Sequence, residues 1–173
     1  GGAVAAKMAS LLAVDLGLRA GLALYGADGR LCWYRSQNFG ALSRMRRAAY
    51  SLLQELPDLQ WLVIEGGGPL AEIWQKEATH REVQVIQTSA ETWRQQLLYP
   101  RQQRSGVDAK HHADRLARSI IDWSGAPRPT SLRHDAAEAI LIGLWGAMQV
   151  GWLPTFTVDR LSALNQHKES GNK

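Results

Sequence analysis

Short apolar runs alternate with helical patterns along most of the chain. Five runs have the length and the branched, leucine-rich content of buried strands. They cover residues 10–16, 20–25, 31–37, 61–65 and 83–87. The first three follow one another closely, and the Asp28-Gly29 pair between the second and third is typical of a hairpin turn. The pattern therefore begins with an antiparallel meander of three strands.

Helical periodicity separates and follows the later strands. Pro57 ends the first helix, Ser89 is placed to cap the third, and Asp108 is placed to cap the fourth. The predicted helices begin at Leu42, Leu70, Ser89, Asp108 and Arg133, and the last runs to Val150. The order βββαβαβααα predicts an α/β fold with a mixed five-stranded sheet. Three strands are antiparallel, the later ones are parallel, and helices cover both faces.

Length and composition fit one globular domain. The chain has 173 residues, of which 45% are hydrophobic and 21% are charged. No apolar run approaches the ~20 residues of a membrane span, so no membrane association is expected. We expect residues 1–8 to be left over from expression, with the native start at Met8. Residues 9–152 are expected to form the domain, and residues 153–173 a polar, flexible tail. The single cysteine, Cys32, fits a reducing compartment.

Acidic residues occur where a solvated surface charge would not be placed. Asp15 and Glu65 lie at the ends of two predicted strands, and Asp135 and Glu138 lie within the apolar last helix. Residues three apart share a helix face, so the two helical carboxylates can point the same way. Buried acids repel one another unless a cation holds them, and oxygen ligands favour Mg²⁺ or Mn²⁺ over zinc. The sequence therefore predicts a metal-binding carboxylate site.

The basic residues are clustered rather than spread along the chain. The formal net charge is +4 and the pI is about 9.5, which permits a polyanionic partner. One cluster contains Arg44, Arg46 and Arg47; a second contains Arg94, Arg101, Arg104, Lys110, His111 and His112. Solvated helix faces would give the same pattern, so the charge alone leaves both interpretations open.

The three acidic segments, in this order, resemble the RuvC family of Holliday junction resolvases, which belongs to the ribonuclease H-like superfamily. The matching segments are Asp15-Leu16-Gly17 after a first strand, Val63-Ile64-Glu65 at the end of a fourth, and Asp135-Ala136-Ala137-Glu138-Ala139 in a late helix. The late segment has Glu138 where the family pattern has a second Asp. The similarity spans roughly residues 10 to 150.

The resemblance implies a ribonuclease H-like fold and a nuclease that resolves four-way DNA junctions. It implies that Asp15, Glu65, Asp135 and Glu138 hold two Mg²⁺ or Mn²⁺ ions about 4 Å apart. Symmetric cutting of a junction needs two facing active sites, hence a homodimer with two-fold symmetry. Ile73 and Trp74 are candidates for the dimer contact or for the core.

The resemblance also implies residues that contact nucleic acid. Lys110 resembles a phosphate-binding lysine, and His111 could assist it. Arg94, Arg101 and Arg104 would offset phosphate charge. His134 has two interpretations, a site residue or a helix cap facing solvent, and we favour the second. The family places an aromatic wedge after the catalytic Glu, whereas this chain has a loop of Gly66, Gly67 and Gly68 that would let the DNA backbone approach closely.

Other functions share these features. A nuclease acting on structured RNA, such as a ribosomal RNA precursor, would use the same carboxylates and metals. A non-catalytic nucleic-acid-binding module would keep the fold without the activity. Sugar kinases and actin-like ATPases share the strand order, but the chain is too short for their two domains and lacks their phosphate loops. We expect a bacterial cytoplasmic location, or a plastid or mitochondrial one after removal of a transit peptide.

Overall fold

The computed structural model describes residues 8–98 and 106–154, with the side chains of residues 106–108 outside the description. Within these described residues, five strands and five helices follow the predicted order. The strands are β1 (Ser10–Asp15), β2 (Arg19–Gly26), β3 (Leu31–Asn38), β4 (Leu59–Glu65) and β5 (Gln84–Thr88). The helices are α1 (Leu42–Gln54), α2 (Gly68–His80), α3 (Ala90–Leu97), α4 (Gly106–Ser124) and α5 (His134–Gln149).

The strands form one mixed sheet in the order β3-β2-β1-β4-β5. β1 pairs antiparallel with β2, and β2 pairs antiparallel with β3. β4 lies parallel to β1 on its other side, and β5 lies parallel to β4. The predicted fold class is therefore confirmed, and β1, the first strand of the chain, lies at the centre of the sheet.

Two hydrophobic cores lie on opposite faces of this sheet. Strand alternation sends Leu11 and Ala13 to one face and Leu12 and Val14 to the other, and all four are fully buried. Helices α1 and α2 cover the face that contains Leu12, while α3, α4 and α5 cover the face that contains Leu11. A central strand buried on both faces must be apolar along its length, which is why β1 is a continuous apolar run.

Helix α5 lies unusually close to the sheet because it carries glycine at its contacts. A Cβ on Gly143 would lie 2.3 Å from Cε2 of Tyr25, and a Cβ on Gly146 would lie 2.8 Å from Cγ2 of Val63. The Tyr25 hydroxyl donates to the carbonyl of Ile140 at 2.5 Å. The start of the helix is equally close to β2, since a Cβ on Gly21 would lie 1.8 Å from the carbonyl oxygen of Asp135.

Several boundaries differ from the sequence prediction. Helix α2 begins at Gly68, two residues earlier than predicted, because Pro69 suits the first turn of a helix. Gly68 itself has a φ of 72°, which glycine adopts without strain. Helix α4 begins at Gly106, so Asp108 lies inside it and does not cap it, contrary to the prediction. The Ser89 cap is confirmed, with its side chain accepting from the backbone N–H of Thr92.

Two further predictions concern the dimer contact and the C-terminal tail. Trp74 is fully buried and Ile73 is 8% exposed, so both belong to the core rather than to a free dimer surface. Leu153, placed in the predicted tail, is buried against Gly29, and residues 155–173 lie outside the described residues. None of the described helices combines the length and the apolar content needed to cross a membrane.

Candidate metal centre

Two carboxylates meet at one edge of the sheet because two parallel strands end together. Asp15 is the last residue of β1 and Glu65 the last of β4, and the two are partners in the strand register. The backbone N–H of Leu16 donates to the carbonyl of Glu65 at 3.2 Å, which holds the two ends together beyond the strands. The prediction that these acids lie at the ends of two strands is confirmed, and the structure shows that the two strands are neighbours.

Helix α5 brings a third carboxylate to the same place. Glu138 is 6% exposed and lies in the first turns of a helix that is otherwise apolar where it covers the sheet. One carboxylate oxygen each from Asp15, Glu65 and Glu138 lie within 4.8 Å of one another. We refer to these three residues as the carboxylate cluster.

Burial and the charges of neighbouring acids raise the pKa values of Asp15 and Glu65. Burial, followed by the charges of Glu65 and Glu138, raises the pKa of Asp15 to about 8. Burial and the charge of Glu138 also raise the pKa of Glu65, while the Trp93 indole, Arg94 and a hydrogen bond with Asp15 lower it. Anions crowded in this way favour either a proton or a cation.

The cluster has the properties of a site for a hard divalent cation. Among the described residues, Oε2 of Glu65 is buried without a hydrogen-bond partner. The Trp93 indole is near enough to lower the pKa of Glu65, but its N–H makes no hydrogen bond of normal geometry within the described part of the chain. Buried carboxylate oxygens suit Mg²⁺ or Mn²⁺, which Asp15, Glu65 and Glu138 would hold. A bound ion of this type supplies an activated water and stabilises charge on a phosphate.

Asp135, the fourth predicted ligand, lies beside the carboxylate cluster rather than in it. Its Oδ2 accepts a hydrogen bond from the Ser36 hydroxyl at 2.9 Å, and its Oδ1 accepts from the Ala136 N–H at 2.7 Å. Its charge still contributes to raising the pKa of Asp15. In this structure Asp135 is hydrogen-bonded to Ser36, and its assignment as a metal ligand stays a prediction.

Two nitrogen-bearing side chains, those of Arg94 and His134, contact Glu138 at the same oxygen. Arg94 of α3 donates from Nη2 to Oε1 of Glu138. His134 lies one turn before Glu138, and its Nε2 is 3.0 Å from the same Oε1. The sequence favours a capping or solvent-facing role for His134; its side chain is 44% exposed, and it also contacts Glu138.

Comparison with solved structures identifies the fold. The structure of T. thermophilus RuvC in complex with a Holliday junction substrate is similar to this chain, with a TM-score of 0.57 and 16% identity. The match covers 83% of this chain and 97% of that one. The chain has the ribonuclease H-like fold. The nuclease of the large terminase from the thermophilic phage G20c, solved with zinc, aligns at a TM-score of 0.46 and 13% identity, over 83% and 81% of the two chains.

Sequence comparison adds nothing to this assignment. No protein-family model matches the chain, and no curated protein matches it by sequence. At 16% identity the RuvC structure establishes the fold, and the chemistry of this chain must be argued from its own residues. In this ribonuclease H-like fold, those residues are the carboxylates at the ends of β1 and β4 and in α5.

The predicted nucleic-acid contacts lie in different places around the ribonuclease H-like fold. Gly67 and Gly68 are exposed directly after β4, beside Glu65, and the Gln87 side chain donates to the carbonyl of Gly66 at 2.6 Å. Lys110 and His111 are exposed on α4. Arg101 and Arg104 lie outside the described residues. Their roles in binding stay predictions.

A cavity near the start of α5 contains polar residues that sequence reasoning missed. Its volume is about 260 Å³, and Ser36, which bonds to Asp135, lies in its wall. It is lined by Tyr34, Arg35, Ser36, Ser131, Leu132, Arg133 and Ala136. These residues come from β3, from the connector before α5 and from α5 itself, so no local motif in the sequence could group them.

Proposed function

We propose that this protein is a divalent-metal-dependent endonuclease that resolves four-way DNA junctions by symmetric phosphodiester hydrolysis, as a homodimer. The observation that carries the proposal is the carboxylate cluster of Asp15, Glu65 and Glu138, with oxygens within 4.8 Å, in a ribonuclease H-like fold. Three acids held together in this way cost stability, and a metal-dependent reaction gives them a use.

The surroundings of the cluster suit a polyanionic substrate. Arg35 and Arg133 are exposed along the cavity beside Asp135, and Lys110 and His111 are exposed on α4. These cations would offset phosphate charge and make affinity fall steeply with salt. The exposed backbone at Gly67 and Gly68 has no side chain to obstruct a strand approaching Glu65.

The chain's own residues would divide the work of hydrolysis. Asp15, Glu65 and Glu138 would hold Mg²⁺ or Mn²⁺, two ions in the full proposal, with Asp135 as a further candidate ligand. Arginine and lysine side chains at the rim would orient the phosphodiester. Ser36 would fix the Asp135 carboxylate through its hydrogen bond.

The choice of a DNA junction rests on a comparison. The T. thermophilus RuvC in the similar structure is bound to a Holliday junction substrate. Two cuts across such a junction require two sites related by two-fold symmetry, hence a dimer. Because Ile73 and Trp74 are buried within the chain, a dimer that uses α2 would be formed through its exposed side chains, such as Glu72 and Lys76.

The test is cleavage of a labelled four-way junction with Mg²⁺, alongside duplex DNA and an RNA hairpin. Asp15→Asn removes one carboxylate of the cluster, and Asp114→Asn removes an acid of a solvent-facing ion pair on α4 as the control. Paired symmetric nicks confined to the junction, lost in Asp15→Asn and retained in Asp114→Asn, are expected. Size-exclusion chromatography with light scattering should give a dimer.

The alternatives predict different outcomes in the same assay. Metal-dependent cleavage of the RNA hairpin, with the junction intact, would indicate a nuclease for structured RNA. Binding of the junction without cleavage by the unmodified protein or by the two variants would indicate a non-catalytic module. Cleavage that survives Asp15→Asn would contradict the assignment of the carboxylate cluster as the active site.

A further inference from the structure

Arg94 makes its ion pair inside the candidate metal centre. Its guanidinium donates to Oε1 of Glu138, which is 6% exposed, while the Arg94 side chain itself is 35% exposed. A buried carboxylate is costly unless a cation compensates it. Arg94 supplies that compensation from a different helix.

Helix α3, which carries Arg94, is held in place by contacts of the neighbouring residues. Trp93, the preceding residue, is fully buried in the core, and the Arg94 Cζ lies 5.1 Å from the centre of its ring. Two residues further along, Oε1 of Gln96 accepts hydrogen bonds from Trp145 at 2.8 Å and from Gln149 at 3.1 Å. Helix α3 is thus held to α5 by contacts besides the ion pair of Arg94 and Glu138, and these contacts keep the backbone at Arg94 close to Glu138.

The pairing has two opposite consequences for a cation. It holds the Glu138 carboxylate beside Asp15 and Glu65, which organises the cluster. It also keeps a positive charge next to the place where a divalent ion would bind, and that charge repels the ion.

We propose that Arg94 is a positioning residue and the resident counter-ion of the carboxylate cluster, holding Glu138 in place while weakening the binding of divalent cations. The proposal rests on the proposed function, because it assumes that the cluster binds a metal. It assigns Arg94 an internal role in place of the nucleic-acid contact suggested by the basic cluster in the sequence.

The signature of such a residue is a split between metal affinity and turnover. Arg94→Gln removes the charge and shortens the side chain, so Mn²⁺ should bind about tenfold more tightly without nucleic acid. Cleavage at saturating Mn²⁺ should nevertheless fall about tenfold, since Glu138 loses its anchor. Arg94→Lys keeps the charge, so its Mn²⁺ affinity should stay within about twofold of the unmodified protein.

The experiment compares the unmodified protein with Arg94→Gln, Arg94→Lys and a control, Arg118→Gln. Arg118 pairs with Asp114 at 2.9 Å on the outer side of α4, so the control removes an ion pair of similar chemistry away from the cluster. Mn²⁺ affinity is measured from the shift of the melting temperature during a titration. Junction affinity is measured separately, by fluorescence anisotropy in EDTA.

The outcomes separate this inference from the proposed function. Tighter Mn²⁺ binding in Arg94→Gln alone, with junction affinity unchanged, supports the counter-ion role. Unchanged Mn²⁺ binding overturns it, and a simultaneous loss of junction affinity would assign Arg94 to nucleic acid. If Mn²⁺ stabilises none of the four proteins, the metal site fails. In that case, the melting temperatures without metal test the role of Arg94. A larger decrease of the melting temperature in Arg94→Gln than in Arg118→Gln would keep Arg94 as the partner of Glu138, and an equal decrease would remove that role.

Discussion

Two pairs of acids approach the same edge of the sheet, and the fold positions them differently. Asp15 and Glu65 end neighbouring parallel strands and are partners in the strand register. Asp135 and Glu138 lie three residues apart on α5, yet only Glu138 joins the carboxylate cluster. Asp135 bonds to Ser36 of β3, whereas Glu138 bonds to Arg94 of α3.

The difference shows when the spacing of residues along the sequence is enough to place the side chains of a site. In a parallel pair, the backbone hydrogen bonds set the two strand ends side by side, so both side chains are placed at once. On a helix, spacing by three residues selects a face, but the neighbouring elements determine what each side chain contacts. The strand pair therefore follows from the sheet alone, and the helix pair depends on α3 and β3.

Cleavage should be more sensitive to substitution of the strand pair, Asp15 and Glu65, than to substitution of the helix pair, Asp135 and Glu138. Asp15→Asn is expected to lower the cleavage rate at least about 1,000-fold, because it removes a charged oxygen of the cluster. Gel analysis of junction cleavage under single-turnover conditions measures the loss. A loss of less than tenfold would mean that the strand pair is not the centre of the reaction.

Substitution of the two helix acids should reduce cleavage to different extents. Glu138→Gln should reduce cleavage about 100-fold, and Asp135→Asn only about tenfold, since Asp135 lies outside the cluster. The same cleavage assay, run with both variants at matched Mg²⁺ concentrations, compares the two. Equal losses would support the sequence-based prediction that Asp135 is a metal ligand as well as Glu138.

The contact between α5 and β2 can be tested through Gly21. A Cβ there would lie 1.8 Å from the carbonyl oxygen of Asp135, so Gly21→Ala should cost about 3 kcal/mol of unfolding free energy and displace the helix pair. Urea denaturation measures the cost. Gly67→Ala is the control, since a Cβ at Gly67 would meet only the side-chain amide of Gln87, at 3.3 Å. Similar costs in the two variants would contradict the close approach.

The strand pair should also make stability depend on pH. The pKa of Asp15 is about 8 in the folded protein against an ordinary value of 3.8, so the folded state binds more protons between those values. The unfolding free energy of the metal-free protein should therefore fall as pH rises from about 4 to 8. The expected loss is on the order of 2 kcal/mol, because partial exposure to solvent screens the site.

Denaturation in EDTA across this pH range, with Asp15→Asn as the comparison, measures the effect. The variant should lose most of the pH dependence and exceed the unmodified protein in metal-free stability at pH 8. A stability that rises with pH in the unmodified protein would contradict the raised pKa of Asp15.

The smallest effect should come from the partner of Asp135. Ser36→Ala removes the hydrogen bond to Oδ2 of Asp135, which is expected to cost about 1 kcal/mol of stability and change cleavage less than about threefold. Thermal denaturation and the junction assay measure both. A loss of cleavage as large as that of Asp135→Asn would show that Ser36 is needed to place Asp135.

Much of the fold could be predicted because local signals agreed with one another. The Asp28-Gly29 turn, the apolar run of β1 and the cap at Ser89 each carry their own signature in the sequence. Errors occurred where a local signal competed with backbone geometry. Asp108 resembled a helix cap, but α4 begins at Gly106, and Gly68 with Pro69 begins α2 although both are typical loop residues.

The sequence by itself determined the order of the elements and the placement of Asp15 and Glu65, because strand ends are set by short, local patterns. Only the tertiary structure separated Glu138 from Asp135 and brought Arg94 to the cluster. The cavity near Arg35 and Arg133 likewise combines residues about 100 positions apart. Contacts of this kind depend on how helices pack across a sheet, and no spacing within one segment encodes them.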